Sequence, residues 1–122
     1  MEYITNPVFW DREKQYMEFI LQNDFPEKSA VVEQLNKMRE AEISRVITPY
    51  FWMIQFRPGG VNPGQGPMRT CISVQVLHQN GTAPTAFNLY ERNGYLFEME
   101  IYNADSSAMD LDAIMHGEVY VV

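Results

Sequence analysis

Two glutamates, Glu98 and Glu100, are spaced as neighbours on one face of a β-strand. Such a pair can divide the roles of general acid and general base when the two environments push their pKa values apart. Burial or a histidine partner would be needed for that, and the surrounding sequence suggests neither. The pattern therefore favours a solvated or partner-binding surface over a catalytic pair.

The two histidines, His78 and His116, are the next candidates for chemistry. On a helical turn Asp112 and His116 would lie four residues apart and could share a metal ion with Asp105 or Asp110. The acidic segment lacks the internal glycine and the terminal glutamate of a calcium loop. We therefore expect solvated turn residues here and no metal or other cofactor.

A proline- and glycine-rich segment, residues 57–67, contains four of the seven glycines and three of the seven prolines. It has neither the Gly-Lys-Ser/Thr of a Walker loop nor a dinucleotide-binding fingerprint. Proline and glycine disfavour helix and ladder, so the first interpretation is a connection between strands. The alternative is a lid over a small-molecule or substrate pocket formed by Arg57, Arg69 and His78.

Length and composition limit the size of the core, the classes of partner and the chemistry of the single cysteine. The 122 residues are 46% hydrophobic and 13% aromatic, which is enough for one core. A net charge of −7 argues against nucleic acid and anionic membranes as partners. Cys71 is the single cysteine and has no neighbouring histidine, so neither a disulfide nor nucleophilic catalysis is indicated. With no targeting signal and no long apolar run, we expect a cytoplasmic protein.

The charge is unevenly distributed along the chain. Residues 1–42 carry a net −4, residues 43–92 carry +3, and residues 93–122 carry six acidic side chains and no Lys or Arg. The negative charge is therefore concentrated in the last quarter of the chain.

The spacing of apolar residues predicts the elements that position these side chains. It is helical in the first third of the chain and alternating afterwards. Asn6-Pro7 predicts the start of a helix over about 7–22, and Pro26-Glu27 opens a second helix that ends near residue 39. From about residue 40 the alternating pattern predicts strands. The predicted strands cover residues 43–47, 51–56, 71–78, 85–91 and 118–122, and one more strand follows the turn at Asn93-Gly94. A short helical turn is expected at 109–115.

The hairpin at Asn93-Gly94 can be tested for register. A two-residue loop of Asn93-Gly94 would place Leu89 opposite Glu98, whereas a three-residue loop with Gly94 at a bulge places Leu89 opposite Phe97. The second register separates core from solvent, and we predict it. Its other face is acidic and aromatic.

These elements predict one α+β domain over residues 1–122. Two N-terminal helices (1–39) pack on a mainly antiparallel sheet of five or six strands (40–122), with the loop at 57–67.

The segment 94–105 reads Gly-Tyr-Leu-Phe-Glu-Met-Glu-Ile-Tyr-Asn-Ala-Asp, and Phe25-Pro26 precedes Leu35 in the helical third. In these features the chain resembles short, mostly uncharacterised bacterial α+β proteins that end in a hairpin of the form G-x-L-x-E-x-E-I-Y-x-A-D. The resemblance implies that Tyr102 and Asp105 fix the end of the strand and implies no catalytic role. The long 57–67 loop and an extra final strand depart from that outline.

By size and charge the chain is also similar to bacterial immunity proteins, which neutralise a toxin domain. The first hypothesis is therefore a non-enzymatic inhibitor of a basic toxin domain. Seven residues are the candidate interface: Tyr90, Glu98, Glu100, Tyr102, Asp105, Asp110 and Asp112. The small-molecule or enzymatic domain with the lid stays open, as does a homodimer formed through an exposed edge strand.

Overall fold

The computed structural model describes residues 9–37, 42–57, 64, 66–78, 82–110 and 112–121. Two helices, α1 (Asp11–Leu21) and α2 (Lys28–Lys37), precede the sheet. The strands are β1 (Glu42–Thr48), β2 (Phe51–Arg57), β3 (Arg69–Leu77), β4 (Thr85–Arg92), β5 (Tyr95–Asn103) and β6 (Glu118–Val121). A short 3₁₀ helix, Ala113–His116, precedes β6. The predicted α+β class, with N-terminal helices and an antiparallel sheet, is confirmed.

The six strands form one antiparallel sheet in the order β1-β2-β5-β4-β3-β6. The hairpins β1-β2, β3-β4 and β4-β5 are each formed by consecutive strands, and β5 joins β2 in the middle of the sheet. β6 returns to pair with the outer edge of β3. Within the described residues β1 and β6 are therefore the edge strands. Val46 and Ile47 of β1 are exposed there.

α1 begins later than its proline signal predicts. The helix starts at Asp11, and Trp10 caps it with extended backbone, whereas Asn6-Pro7 lies outside the described residues. The side chain of Glu13 accepts a hydrogen bond from the Trp10 amide at 2.9 Å, which satisfies a free donor of the first turn. A carboxylate at this position therefore sets the start of α1.

α2 begins one residue after the predicted Pro26-Glu27 opening. Glu27 has a φ of 67°, and Lys28 is the first helical residue. The predicted strand bounds agree with the observed ones to within two residues, and six strands are present among the described residues.

The predicted register of the β4-β5 hairpin is wrong. Asn93 and Gly94 have φ of 51° and 83°, as a two-residue type I′ turn requires, so Arg92 pairs with Tyr95. The register then shifts at Phe97, which is the extra residue between the Glu91–Leu96 and Tyr90–Glu98 pairs.

This bulge resolves the conflict that the plain two-residue loop would create. Leu89 pairs with Met99 and Phe87 with Ile101, so apolar residues meet on one face of the sheet. Leu96 also lies in the core, on the opposite face from the one that the predicted register gives it. The turn and the bulge together place Glu98 and Glu100 away from the core.

One core lies between the helices and one face of the sheet. Tyr16, Met17 and Ile20 of α1 are buried in the same cluster as Ile54 and Met99. A cavity of about 10 Å³, lined only by apolar side chains of both helices and the sheet, lies within this core. No helix in the described ranges is long and apolar enough to cross a membrane.

Candidate functional site

The second face of the sheet is not covered by any helix that the structure describes, and we call it the open face. Its side chains alternate with the core residues on each strand. In the centre of the sheet it carries Met53 and Gln55 of β2, Glu98, Glu100 and Tyr102 of β5, and Ala86, Asn88 and Tyr90 of β4. Four of the seven predicted interface residues, Tyr90, Glu98, Glu100 and Tyr102, therefore lie together.

Glu100 is held by two donors from β4. Tyr90 donates its hydroxyl to Oε1 of Glu100 at 2.6 Å, and Asn88 donates Nδ2 to the same oxygen at 3.1 Å. Asn88 Nδ2 also lies 3.4 Å from the hydroxyl of Tyr102. Burial, followed by the hydrogen bond to Glu100, raises the pKa of Tyr90, so this phenol remains a donor at neutral pH.

Glu98 lies next to Glu100 on the open face but is more enclosed. It is 8% exposed, and Gln55 donates Nε2 to its Oε1 at 3.0 Å. The carboxylate therefore has a neutral donor from β2, and within the described residues it has no Lys or Arg within ion-pair distance. Glu98 contributes negative charge to the face while keeping a fixed side-chain position.

A cleft of about 360 Å³ opens at the end of the open face where β2 begins and β5 ends. Its lining consists of Tyr50, Phe51, Glu100, Tyr102, Asn103 and Ser106. The rings of Phe51 and Tyr102 are 6.3 Å apart and inclined by 33°, and Tyr50 is 55% exposed at the rim. Among these six lining residues Glu100 has the one carboxylate, and three of the others are aromatic.

Arginines of the open face lie at its opposite end. Arg57 follows Gln55 by two residues on β2 and is 3.9 Å from Glu42. Arg92 precedes the β4-β5 turn, and its guanidinium lies 4.0 Å from the ring centroid of Phe97. The face is therefore polarised, with carboxylates at its centre and towards the cleft.

The remaining predicted interface residues are aspartates that stabilise turns. Asp105 accepts hydrogen bonds from the amide and the hydroxyl of Ser107, which lowers the pKa of its carboxyl group. Asp105 lies beside the cleft residue Ser106, in the turn that follows β5.

Asp110 and Asp112 lie on the helical side of the sheet. Asp110 accepts hydrogen bonds from the amides of Asp112 and Ala113 at 3.2 Å. Asp112 forms an ion pair of 2.9 Å with Arg12 of α1. The structure does not bring these two aspartates to the open face. No group of His, Cys, Asp and Glu side chains suited to a metal ion occurs among the described residues.

Two of the three alternative pocket residues, Arg69 and His78, are far apart. Arg69 begins β3 and pairs with Glu27 at 2.8 Å and with Glu91 at 2.6 Å. His78 follows the other end of the strand, about 30 Å away at the usual rise per residue. His78 Nε2 is 2.8 Å from the hydroxyl of Thr85, which donates to Asn103. Arg69 and His78 therefore do not share a pocket.

Most of the proposed lid lies outside the described residues, which in this loop include Gly64 and Gly66. A Cβ at either glycine would lie within about 3.1 Å of the Asn93 side chain. This part of the loop therefore packs against the β4-β5 turn. Cys71 is buried, and burial, followed by the nearby charge of Glu91, raises the pKa of its thiol to about 12.

A buried ionic cluster joins α1 to the sheet. Its residues are not among the candidates that the sequence predicts. Glu13 is fully buried, and it accepts hydrogen bonds from Arg45 Nε at 2.9 Å, Arg45 Nη2 at 2.8 Å and Trp52 Nε1 at 3.0 Å. Arg45 also lies 4.2 Å from the ring centroid of Trp10. A glutamate within an otherwise apolar helix stripe is the sequence signal that indicates such a partner.

Comparison of the chain with protein-family models, with curated proteins and with solved structures finds no significant match.

Proposed function

We propose that the protein binds another protein and that its open face receives a basic surface of that partner. The observation that carries this proposal is the presence of Glu98 and Glu100, with Tyr90 and Tyr102, on a sheet face that no described helix covers. Neutral side chains donate to both carboxylates, and of the two Glu100 is the more exposed to an incoming cationic group.

The composition of the face suits protein recognition. Negative potential accelerates the encounter with a basic partner and disfavours acidic ones. Tyrosine rings add contact area that is buried on association, and interface energies are concentrated in such aromatic anchors. The enclosed position of Glu98 strengthens its interaction with a cation that displaces the remaining water.

The most concrete form of the proposal is an immunity-type inhibitor that covers the active surface of a toxin domain. A nuclease surface has the required charge, because it must attract phosphate groups. The net −7 of the chain, and its concentration after residue 92, support a cationic partner of this kind.

The test compares wild-type protein with the double variant Glu98→Gln/Glu100→Gln. Glutamine is isosteric and can accept the hydrogen bonds from Gln55 and Tyr90, so the fold is retained while two charges are removed. The matched control is Glu18→Gln/Asp24→Asn, which removes two charges from the helical layer. Each protein is used to retain partners from an extract of the cells that make it, and the retained partner is then purified for titration calorimetry.

We expect a basic partner whose affinity falls at least tenfold for the open-face variant, which corresponds to about 1.4 kcal/mol. The control variant should bind within about twofold of wild type, and the difference should shrink in high salt. An acidic partner, no retained partner, or equal affinities of the two variants would contradict the proposal.

A further inference from the structure

The cleft at the end of the open face has a chemistry more specific than negative charge. Three aromatic side chains, Tyr50, Phe51 and Tyr102, surround a single carboxylate, that of Glu100. Aromatic faces attract cations, and a carboxylate among them selects a cation that can also donate hydrogen bonds. A neutral apolar side chain would remove water from Glu100 without supplying an opposite charge.

The carboxylate is prepared for such a ligand by its neighbours. Tyr90 and Asn88 both donate to Oε1 of Glu100, so within the described part of the chain the side-chain hydrogen bonds to this carboxylate converge on one oxygen. Because Asn88 also contacts the Tyr102 hydroxyl, the carboxylate and one aromatic wall are fixed relative to each other. Oε2 can accept from a ligand without breaking this arrangement.

The size of the cleft is compatible with one side chain as its occupant. At about 360 Å³ it is at the small end of ligand pockets, which span about 300–1,000 Å³. The Phe51 and Tyr102 rings are inclined by only 33°, so a planar group can lie against both. Guanidinium is planar, stacks on aromatic rings and donates in a fork to carboxylates, whereas ammonium is a compact and strongly hydrated charge.

We propose that this cleft is a binding pocket for an arginine side chain. This inference rests on the proposed function, because the basic partner supplies the arginine. The guanidinium lies against Phe51 and Tyr102 and donates to Glu100. Tyr50, at the exposed rim, covers the aliphatic stem. The partner would thus present an arginine at the edge of its contact with the open face.

The pocket can be tested without the partner, using N-acetyl-L-argininamide as the probe. Amide chemical shifts of the intact protein are followed by NMR during titration. N-acetyl-L-citrullinamide is the neutral isostere, and N-acetyl-L-lysinamide carries the same charge without the planar group. We expect the arginine probe to shift the amides of residues 50–51 and 100–103, and the citrulline probe to cause less than a tenth of that shift.

Variants assign the effect to the cleft. Glu100→Gln and Tyr102→Leu should each weaken the arginine probe at least fivefold, whereas Glu18→Gln on α1 should not change it. Since Tyr102 also packs on the sheet, Tyr50→Ala provides a second aromatic test at an exposed position, with a weakening of about twofold expected.

The outcomes separate this pocket from the wider proposal. Shifts scattered outside the cleft, tighter binding of the lysine probe, or unchanged binding by Glu100→Gln and Tyr50→Ala would overturn the arginine pocket. If the pocket fails while the open-face double variant still loses its partner, the proposed function stands. If the probe binds as expected but neither glutamate changes the partner's affinity, the cleft binds arginine but not an arginine of this partner, and the proposed function fails.

Discussion

The carboxylate of Glu13 is completely buried, and four donors surround it. Trp10 donates its amide, Trp52 its indole N–H, and Arg45 two guanidinium N–H groups, all within 3.0 Å. A buried ion pair is retained at low cost only when its remaining hydrogen-bonding groups are satisfied, as they are here. The cluster connects the start of α1 to β1 and β2.

Removal of this carboxylate should be among the most damaging single changes. Glu13→Ala leaves the largely buried guanidinium of Arg45 without its partner, and we expect a loss of about 3–5 kcal/mol in the free energy of unfolding. Urea denaturation followed by circular dichroism measures it. Glu18→Ala on the same helix should change stability by about 0.5 kcal/mol or less. A loss below about 1 kcal/mol for Glu13→Ala would mean that the cluster is not a structural anchor.

At the scale of elements, the β4-β5 hairpin shows how a turn and a bulge act together. Asn93-Gly94 is a strong type I′ signal, and the turn forms where that signal predicts. The register beyond the turn depends on Phe97, which is the extra residue of the bulge. Because Phe97 is inserted there, Leu96 and Met99 both face the core. Nothing local marks Phe97 as the bulge, because the position is chosen by apolar pairing with β4 and β2.

Alanine substitutions at two glycines should destabilise the protein for different reasons, backbone strain at Gly94 and steric overlap at Gly117. Gly94→Ala introduces no contact within 4 Å but forces a side chain to adopt φ of 83°, so we expect a cost of about 1–2 kcal/mol. Gly117→Ala would bring its Cβ against Val76 and to 2.7 Å from the carbonyl oxygen of Leu77, with an expected cost of about 1–3 kcal/mol.

Amide hydrogen exchange distinguishes the two effects. Gly117→Ala should accelerate exchange in the β3-β6 ladder, because Gly117 leads directly into β6. Gly94→Ala should lower global stability without selective loss of β6 protection. Selective loss of β6 protection in Gly94→Ala would show that the turn and the edge strand are coupled, contrary to this expectation.

At the scale of the whole molecule, two buried titratable groups, Tyr16 and Cys71, make the stability of the fold depend on pH in the alkaline range. Burial raises the pKa of Tyr16 from 10.0 to about 12, and burial with Glu91 raises the pKa of Cys71 from 9.0 to about 12. Both groups bind their protons more tightly in the folded state than in the unfolded chain. Their contribution to stability is therefore complete below about pH 9 and is lost as the pH rises to about 12.

We expect the free energy of unfolding to fall steadily between about pH 9 and pH 12, because the unfolded state releases protons that the folded state keeps. Urea titrations at a series of pH values measure the slope. The double variant Tyr16→Phe/Cys71→Ala, compared with itself across pH, should show a shallower fall. Parallel slopes for the variant and wild type would assign alkaline unfolding to other groups.

Sequence by itself determined the class of fold, because helical and alternating apolar periods directly reflect which side chains face a core. It also determined that Glu98, Glu100, Tyr90 and Tyr102 share one side of a hairpin, since strand alternation is a local property.

Only the tertiary structure decided which residues from distant parts of the chain come into contact. The β5 pairing with β2 brings Phe51 beside Tyr102 and so forms the cleft, although the two residues are far apart in the chain. The path of the segment after β5 carries Asp112 to Arg12 on the helical side. Non-local contacts set both results, and no short window of sequence contains them.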